Sequence, residues 1–488
     1  MHKKISIILL LFLGFVYKAG ATHLMGGEIT WECIGSGQYI FHMKVYRDCI
    51  NASQPNNPGS AFYLLSGGAP GISLTVHGHP TVTSIPMPNI DSVDITPQCY
   101  VGGINYDCYN SLNYNGGNTA VCEYIISSNP VNLPGTPGPN GWVFTWSACC
   151  RNYTITNLAL TFQAINAPEN GFTLRAKMFA YNGQNTSPCY DSSPIFLERP
   201  SIIICAGSNY TYNPNAYDQD MDSLSYEFAQ PLDNLQGAFT NSNPPSIPFN
   251  PGFTYDYPLP GPTQNPNNIP LTLNSITGEM SFTCFTQGNY VQVIKVTAYK
   301  CGQKVAEVYR EIQTVILSCG ANQPPNVTAP FINTSSGLFT NYIDTVTAGD
   351  LVTFSITGTD NGFLPTGFPQ TLNYFAKGGQ FGLNYTDPNA GCINLPCATL
   401  NPPPPQSTAG TLTFNFNWQT GCEHVATFDE CITQSNVHTF TFTFWDDYCP
   451  APSYTVVTAT IVVEAIAIIE SPQLHCANVL NNGDVELS

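Results

Sequence analysis

The residues best placed to do chemistry in this chain are three carboxylates at alternate positions, Asp218, Asp220 and Asp222. Three hard oxygen donors spaced this way converge on one cation where the backbone turns, and calcium at extracellular concentrations suits weak oxygen-ligand sites. The spacing is not that of an EF-hand, whose sixth and twelfth loop positions would here be Ser223 and Ala229 instead of Gly and Glu. A cadherin-like calcium site completed by Glu227 or Asp256 is one expectation. An Asp-rich solvated turn, capped by its own side chains, is the other. Asp446 and Asp447 read as a solvated turn, and Asp360 is an isolated acid at the end of a strand.

Other constellations point to structure more than to reaction. His77 and His79 flank a single glycine, a weak metal-binding spacing with no third ligand in view. The vicinal Cys149 and Cys150 could form a strained, redox-active pair, but separate bridges pinning the strand after Trp146 are the expectation. Arg151 beside them is expected to stack on Trp146 or to pair with a carboxylate. There is no Gly-x-Ser-x-Gly elbow, no His-Glu-x-x-His and no phosphate-cradling glycine loop. The expectation is therefore a non-enzyme, with a secreted glycoside hydrolase kept as a minor alternative because its paired carboxylates are a three-dimensional feature.

The elements that must position these residues are strands. Leu412, Phe414, Phe416 and Trp418 alternate with polar residues, as do Phe440, Phe442 and Phe444, and Phe41, Met43 and Val45. Period-two alternation sends one face of each strand into a core and the other into water. No helical period is sustained, so the fold class is all-β: tandem, disulfide-stapled β-sandwich domains. In the first hairpin, Ile29–Cys33 and Tyr39–Tyr46 are the strands and Gly35-Ser36-Gly37 the positive-φ turn. Expected units are residues 22–195, 196–320 and 326–465, the last two separated by the linker Asn322–Pro325. Residues 466–488 read as the start of a truncated further β domain.

Residues 1–21 read as a secretory signal peptide: basic Lys3 and Lys4, an apolar run from Ile5 to Val16, and the exit Ala19-Gly20-Ala21. The run is too short to span a bilayer, and the mature chain is expected to be exported without a transmembrane segment. All 18 cysteines follow it, which makes disulfides the expectation. Local candidates are Cys33 with Cys49, Cys392 with Cys397, and Cys422 with Cys431. A net charge of −18 argues against nucleic acid and anionic membrane surfaces as partners. Loop tyrosines among Asn and Gly (Tyr106, Tyr109, Tyr114, Tyr255, Tyr257) suit adhesion or stacking on sugar rings, so other surface proteins or glycans are the expected partners.

Several motifs carry a resemblance. They are Gly26-Gly27-Glu28-Ile29-Thr30 with Tyr46-Arg47-Asp48-Cys49; Cys149-Cys150-Arg151-Asn152 followed by Asn157-Leu158; Cys205 leading to Asp218–Tyr226; Thr277-Gly278-Glu279 before Gly288-Asn289-Tyr290; and Cys422 with Asp446–Pro450. With these the chain resembles the amino-terminal part of the large exported surface proteins of Bacteroidota, described as gliding-motility-associated or type IX-secreted. The resemblance implies immunoglobulin-like or cadherin-like modules, no catalysis, and a carboxy-terminal sorting domain that this sequence does not include. The function it implies is a secreted or cell-surface adhesin or interaction scaffold, with a carbohydrate-binding surface protein as the alternative.

Overall fold

A computed structural model describes residues 24–48, 71–96, 121–148, 244–320, 322–328, 330 and 342–425. It also describes 151–233 apart from 153, 161, 165–166, 169–170, 184–188, 190 and 201, and 427–466 apart from 429–430, 433–434 and 450. Near the carboxy terminus it describes 477–479 and 485–487. The expected signal peptide, Cys49, Cys149, Cys150, Tyr106, Tyr109 and Tyr114 lie outside these residues. Among the described residues the fold is all-β, with no α-helix.

The first hairpin forms as its sequence dictates, with longer arms: Leu24–Gly35 pairs antiparallel with Gln38–Asp48. Gly35, Ser36 and Gly37 all take positive φ to reverse the chain. The hairpin belongs to a thirteen-stranded sheet whose organising element is the strand Gln303–Leu317. One edge of that strand pairs with Gly288–Lys300 over nearly its whole length. The other edge pairs in turn with Phe172–Met178, Leu24–Gly35 and, in parallel, Ile203–Cys205. The boundary expected near residue 195 therefore does not divide the sheet, because Gln303–Leu317 is hydrogen-bonded to strands on both sides of it.

The sheet rolls around its own core. Phe144 on Trp142–Ala148 and Phe41 on Gln38–Asp48 are separated by three intervening strands, yet their rings lie 4.5 Å apart beside Trp31. Close backbone approach makes the glycines of the opening motif obligatory. A Cβ on Gly26 would sit 2.1 Å from the Glu311 carbonyl oxygen, and one on Gly27 would sit 2.4 Å from that of Lys44. A second core, around Tyr212, Tyr226, Ile294 and Ile312, lies further along the same central strand.

The third unit is a sandwich. One sheet holds Leu351–Thr359 and Thr411–Gln419, and the facing sheet holds Ser435–Trp445, Tyr454–Glu464 and Thr371–Lys377. The alternation read from the sequence is realised: Phe414, Phe416 and Trp418 point inward and meet Phe440, Phe442 and Phe444 from the other sheet. Tyr374 stacks on Phe414 at 3.9 Å. Beyond it Ala477–Val479 pairs with Val485–Leu487, so the last strand has a partner.

The segment expected to link the second and third units is built into the joint. Asn322 donates to Asp446 Oδ2 at 2.8 Å and to Ser453 Oγ at 2.9 Å, and the Pro325 carbonyl accepts from Thr455 at 2.6 Å. Thr211 donates to the Val456 carbonyl, and Asn215 to the Lys377 carbonyl and the Thr441 hydroxyl. These directional bonds fix how the third unit docks.

Candidate functional site

Asp218 and Asp222 come together with a residue the sequence reading missed, Asp191. The chain reverses at Met221, whose amide donates to the Asp218 carbonyl and whose φ is 59°. Asp218 Oδ1 accepts from the amides of Asp220 (2.9 Å) and Asp222 (3.3 Å), so its side chain does cap the turn. The tip of the turn is solvated, with Gln219 exposed, but the carboxylates at its base are buried: Asp191, Asp218 and Asp222 are 1%, 5% and 4% exposed. Asp220, half-buried, borders the cluster and accepts from the Ser192 amide at 2.6 Å. Of the proposed outer ligands, Glu227 pairs with Lys295 and Asp256 accepts from the Thr254 hydroxyl, so neither joins the cluster.

A cation of the chain itself enters this cluster. Lys300, at the end of Gly288–Lys300, places Nζ 3.6 Å from Asp191 and 3.7 Å from Asp222. Five carboxylate oxygens of Asp191, Asp218 and Asp222 are buried and accept from no backbone or hydroxyl donor among the described residues; Asp191 and Asp222 instead share a hydrogen bond, which requires a proton on one of them. Burial, then mutual repulsion, pushes the Asp191 and Asp218 carboxyls well above the ordinary range, and burial pushes Asp222 up to about 6. Burial lowers the Lys300 ammonium, but the charges of Asp191 and Asp222 outweigh it and the net shift is upward. Among the described residues no three acidic, histidine or cysteine side chains stand in an arrangement ready to hold a metal.

The cluster has a pH signature with a definite sign. Groups whose folded pKa is raised bind protons more readily in the folded state, so their stabilisation is complete below about 4 and fades as pH rises through about 6. His438, held down to about 4 by burial, and His42, His77, His79 and His424, also lowered, act oppositely as pH falls through 6.5. The difference between wild type and Asp222→Asn isolates the contribution of the Asp222 carboxyl from that of the histidines. Its melting-temperature gap should change by roughly 2–4 °C between pH 7.5 and 5, with wild type gaining on acidification. A gap that does not vary with pH would refute this reading.

The remaining candidates have structural roles. Asp446, expected in a solvated turn, is fully buried and accepts from Asn322 and from the amides of Tyr448 and Ser453. The joint closes over it, and burial pushes its carboxyl up to about 6. Asp447 accepts from the Thr371 amide, and Asp360 is buried and accepts from the Gly362 amide. His77 bonds to Thr145, while His79 lies 4.4 Å from the Trp142 ring and accepts from the amides of Thr81 and Val82. The two imidazoles share no site. Arg151 takes the carboxylate option: it pairs bidentately with Glu311 and lies 5.1 Å from the ring of Phe172, not Trp146.

Cys33 bridges to Cys189, Cys205 to Cys319, and Cys392 to Cys397 as expected. The Cys33–Cys49 expectation is overturned by register. Cys33 lies opposite Tyr39 beside the turn, whereas Arg47 lies opposite Leu24 at the hairpin's open end. The Cys33 sulfur is instead bonded to Cys189. Cys422 is disulfide-bonded, and its expected partner Cys431 has a side chain outside the described set. Tyr255 and Tyr257 are exposed.

A cleft opens between the outer face of the first sheet and the third unit. Its volume is about 610 Å³, and an adjoining hollow of about 390 Å³ shares Lys44, Ile125 and Leu197 with it. Lys44 Nζ stands 3.8 Å from Glu28 and 4.0 Å from Glu123, and Arg199 Nε donates to Glu123 at 2.9 Å. Trp445, stacked near Tyr454, closes the far wall.

No family model matches this chain, and no curated protein matches it. Among solved structures it aligns with Drosophila N-cadherin EC1-3 at 12% identity, over 69% of this chain and 82% of that one, with a TM-score of 0.15. Drosophila OTK extracellular domains 3-5 align at 7% identity over 81% and 86%, TM-score 0.14. The S-layer protein rSbsC(31-844) aligns at 11% over 92% and 57%, TM-score 0.14. Scores at this level establish no kinship, and the all-β class rests on the strands described above. Among the described residues no helix is long and apolar enough to cross a membrane.

Proposed function

We propose that this chain is an exported, surface-exposed scaffold that works by contact and not by catalysis, in the setting of Bacteroidota gliding motility that its motifs resemble. The observation that carries the reading is the pair of long-range bridges, Cys33–Cys189 and Cys205–Cys319, spanning 156 and 114 residues. Such bridges form and persist in oxidising compartments. They staple a sheet whose joint to the third unit is fixed by side-chain hydrogen bonds, an architecture suited to presenting surfaces in a constant geometry. The test is brief protease treatment of intact producing cells, followed by immunodetection and thiol counting. Loss of the full-length signal without lysis is expected. A chain protected until lysis and rich in free thiols would overturn the proposal.

A second reading, favoured by three buried carboxyls gathered beside a single lysine, is that Asp191, Asp218 and Asp222 take calcium in place of protons and of the Lys300 charge. Calcium should then raise the melting temperature at pH 7.5, and Asp191→Asn should abolish the rise. Identical melting in calcium and in chelator would leave Lys300 and bound protons as the counter-charge.

A further inference from the structure

We infer that the cleft between the first sheet and the third unit is a binding site for a neutral oligosaccharide. This names the ligand class of the contact role proposed above and rests on that reading for its extracellular setting. Three features of the cleft carry it.

The first is an acceptor. Glu123 is 1% exposed and lines the cleft, and its Oε1 is buried with no hydrogen-bond partner among the described residues. Its nearest cation, Lys44 Nζ, is 4.0 Å away, an ion pair but not a hydrogen bond. A buried carboxylate oxygen left this way is costly, and because it lies beneath the cleft wall an incoming O–H donor satisfies it only as the wall over it shifts.

The second is the set of donors beside that acceptor. Lys44 is about one-third exposed, and Arg199, half-exposed, commits Nε to Glu123 Oε2; both side chains line the cleft. The Thr443 hydroxyl lies on the opposite wall. Donors and an acceptor set side by side match sugar hydroxyls, each of which both donates and accepts.

The third is the balance of charge and apolar surface. Lys44, Arg199 and Lys377 face Glu123 and Glu198 in the larger cleft, and Glu32 in the smaller hollow adds negative charge, Glu28 there being neutralised by Arg310. Neither a polyanion nor a polycation finds a complementary field, and the chain's overall negative charge disfavours anions further. Trp445, Phe375 and Tyr454 supply ring faces for the C–H surfaces of pyranose rings. The volume falls in the range of small-molecule clefts.

The test is isothermal calorimetry on the purified, oxidised full chain with maltohexaose, cellohexaose, xylohexaose, mannohexaose and chitohexaose, and with oligogalacturonate as the anionic probe. Saturable binding of at least one neutral hexasaccharide is expected. Trp445→Ala should weaken it about tenfold, and Thr443→Arg, which fills the cleft from a half-buried position, should abolish it without changing the melting curve. Silence with every neutral probe, preference for oligogalacturonate, or binding that survives Thr443→Arg would overturn the inference. Calorimetric silence would leave the cell-surface labelling result untouched, so the two readings fail separately.

Discussion

Replacing Arg310 by Ala is expected to cost about 3–5 kcal/mol of the stability of the amino-terminal sheet, read as a shift in its denaturant midpoint. The guanidinium is fully buried in the middle of the central strand. It donates to both Glu28 oxygens, at 2.5 and 2.7 Å, to the Glu198 carbonyl at 2.6 Å and to the Tyr212 hydroxyl at 3.0 Å. Phe196 covers it at 4.0 Å. Truncation would leave Glu28, itself 2% exposed, with only Lys44 at 3.8 Å and the Tyr46 hydroxyl at 3.4 Å as side-chain partners among the described residues. The cost comes mostly from that stranded charge, since a buried pair gains little over apolar residues but is expensive to halve. The double variant Glu28→Gln/Arg310→Met should therefore be more stable than Arg310→Ala alone. A loss below about 1 kcal/mol for the single variant would show that water reaches Glu28 and that the pair is not a keystone.

The same pair explains what was legible in the sequence. The motif Gly26-Gly27-Glu28 is visible as a motif, but its partner lies 282 residues away and nothing local announces it. Gly26 and Gly27 are glycines because the central strand and the neighbouring hairpin arm press against them, and Glu28 is acidic because Arg310 waits there. Arg151 and Asn157 follow the same logic. Arg151 meets Glu311, the residue after Arg310, while the Asn157 amide bonds to the Val291 and Pro258 carbonyls and accepts from the Val291 amide. Residues that look functional by their placement in motifs are in these cases fasteners: Glu28 and Arg151 hold the central strand, and Asn157 holds its neighbour Gly288–Lys300.

Patterns with a short period were easier to read than pairings with none. The Phe414-Phe416-Trp418 stripe declares its buried face because alternation is a property of the strand itself. Asp446 was misread because burial is decided by what closes over a residue, here Asn322 and Ser453 from other segments. Asp218 and Asp222 were legible as a cluster, whereas Asp191 and Lys300 arrive from distant positions and convert a surface-like turn into a buried charged site. Glu123 and Arg199 gave no signal, being single charged residues in unremarkable strings, and only the packing of the third unit makes a cleft of them.

The second large effect concerns the Cys33–Cys189 bridge. Its removal as Cys33→Ala/Cys189→Ala is expected to cost roughly 5 kcal/mol, because closing a loop of this size restricts the unfolded chain more than a short loop does. Cys392→Ala/Cys397→Ala, which opens a loop of separation 5, should cost roughly 2 kcal/mol by the same reasoning. Equal losses from the two bridges, or a larger one from the short loop, would mean that native-state contacts and not chain entropy set their worth. The long bridge has a further consequence that separates it from a simple staple. It anchors the segment whose Ser192 and Ser193 hydroxyls accept from the amides of Cys33 and Trp31 and whose Asp191 completes the carboxylate cluster. Without it that segment is released from Leu24–Gly35, Asp191 gains access to water, and its carboxyl should fall back toward the ordinary range. The Cys33→Ala/Cys189→Ala variant should then gain less than wild type on acidification, as Asp222→Asn does. A variant that lost stability but kept the wild-type pH dependence would place the segment under the control of its own hydrogen bonds, leaving the bridge to act through the unfolded chain alone.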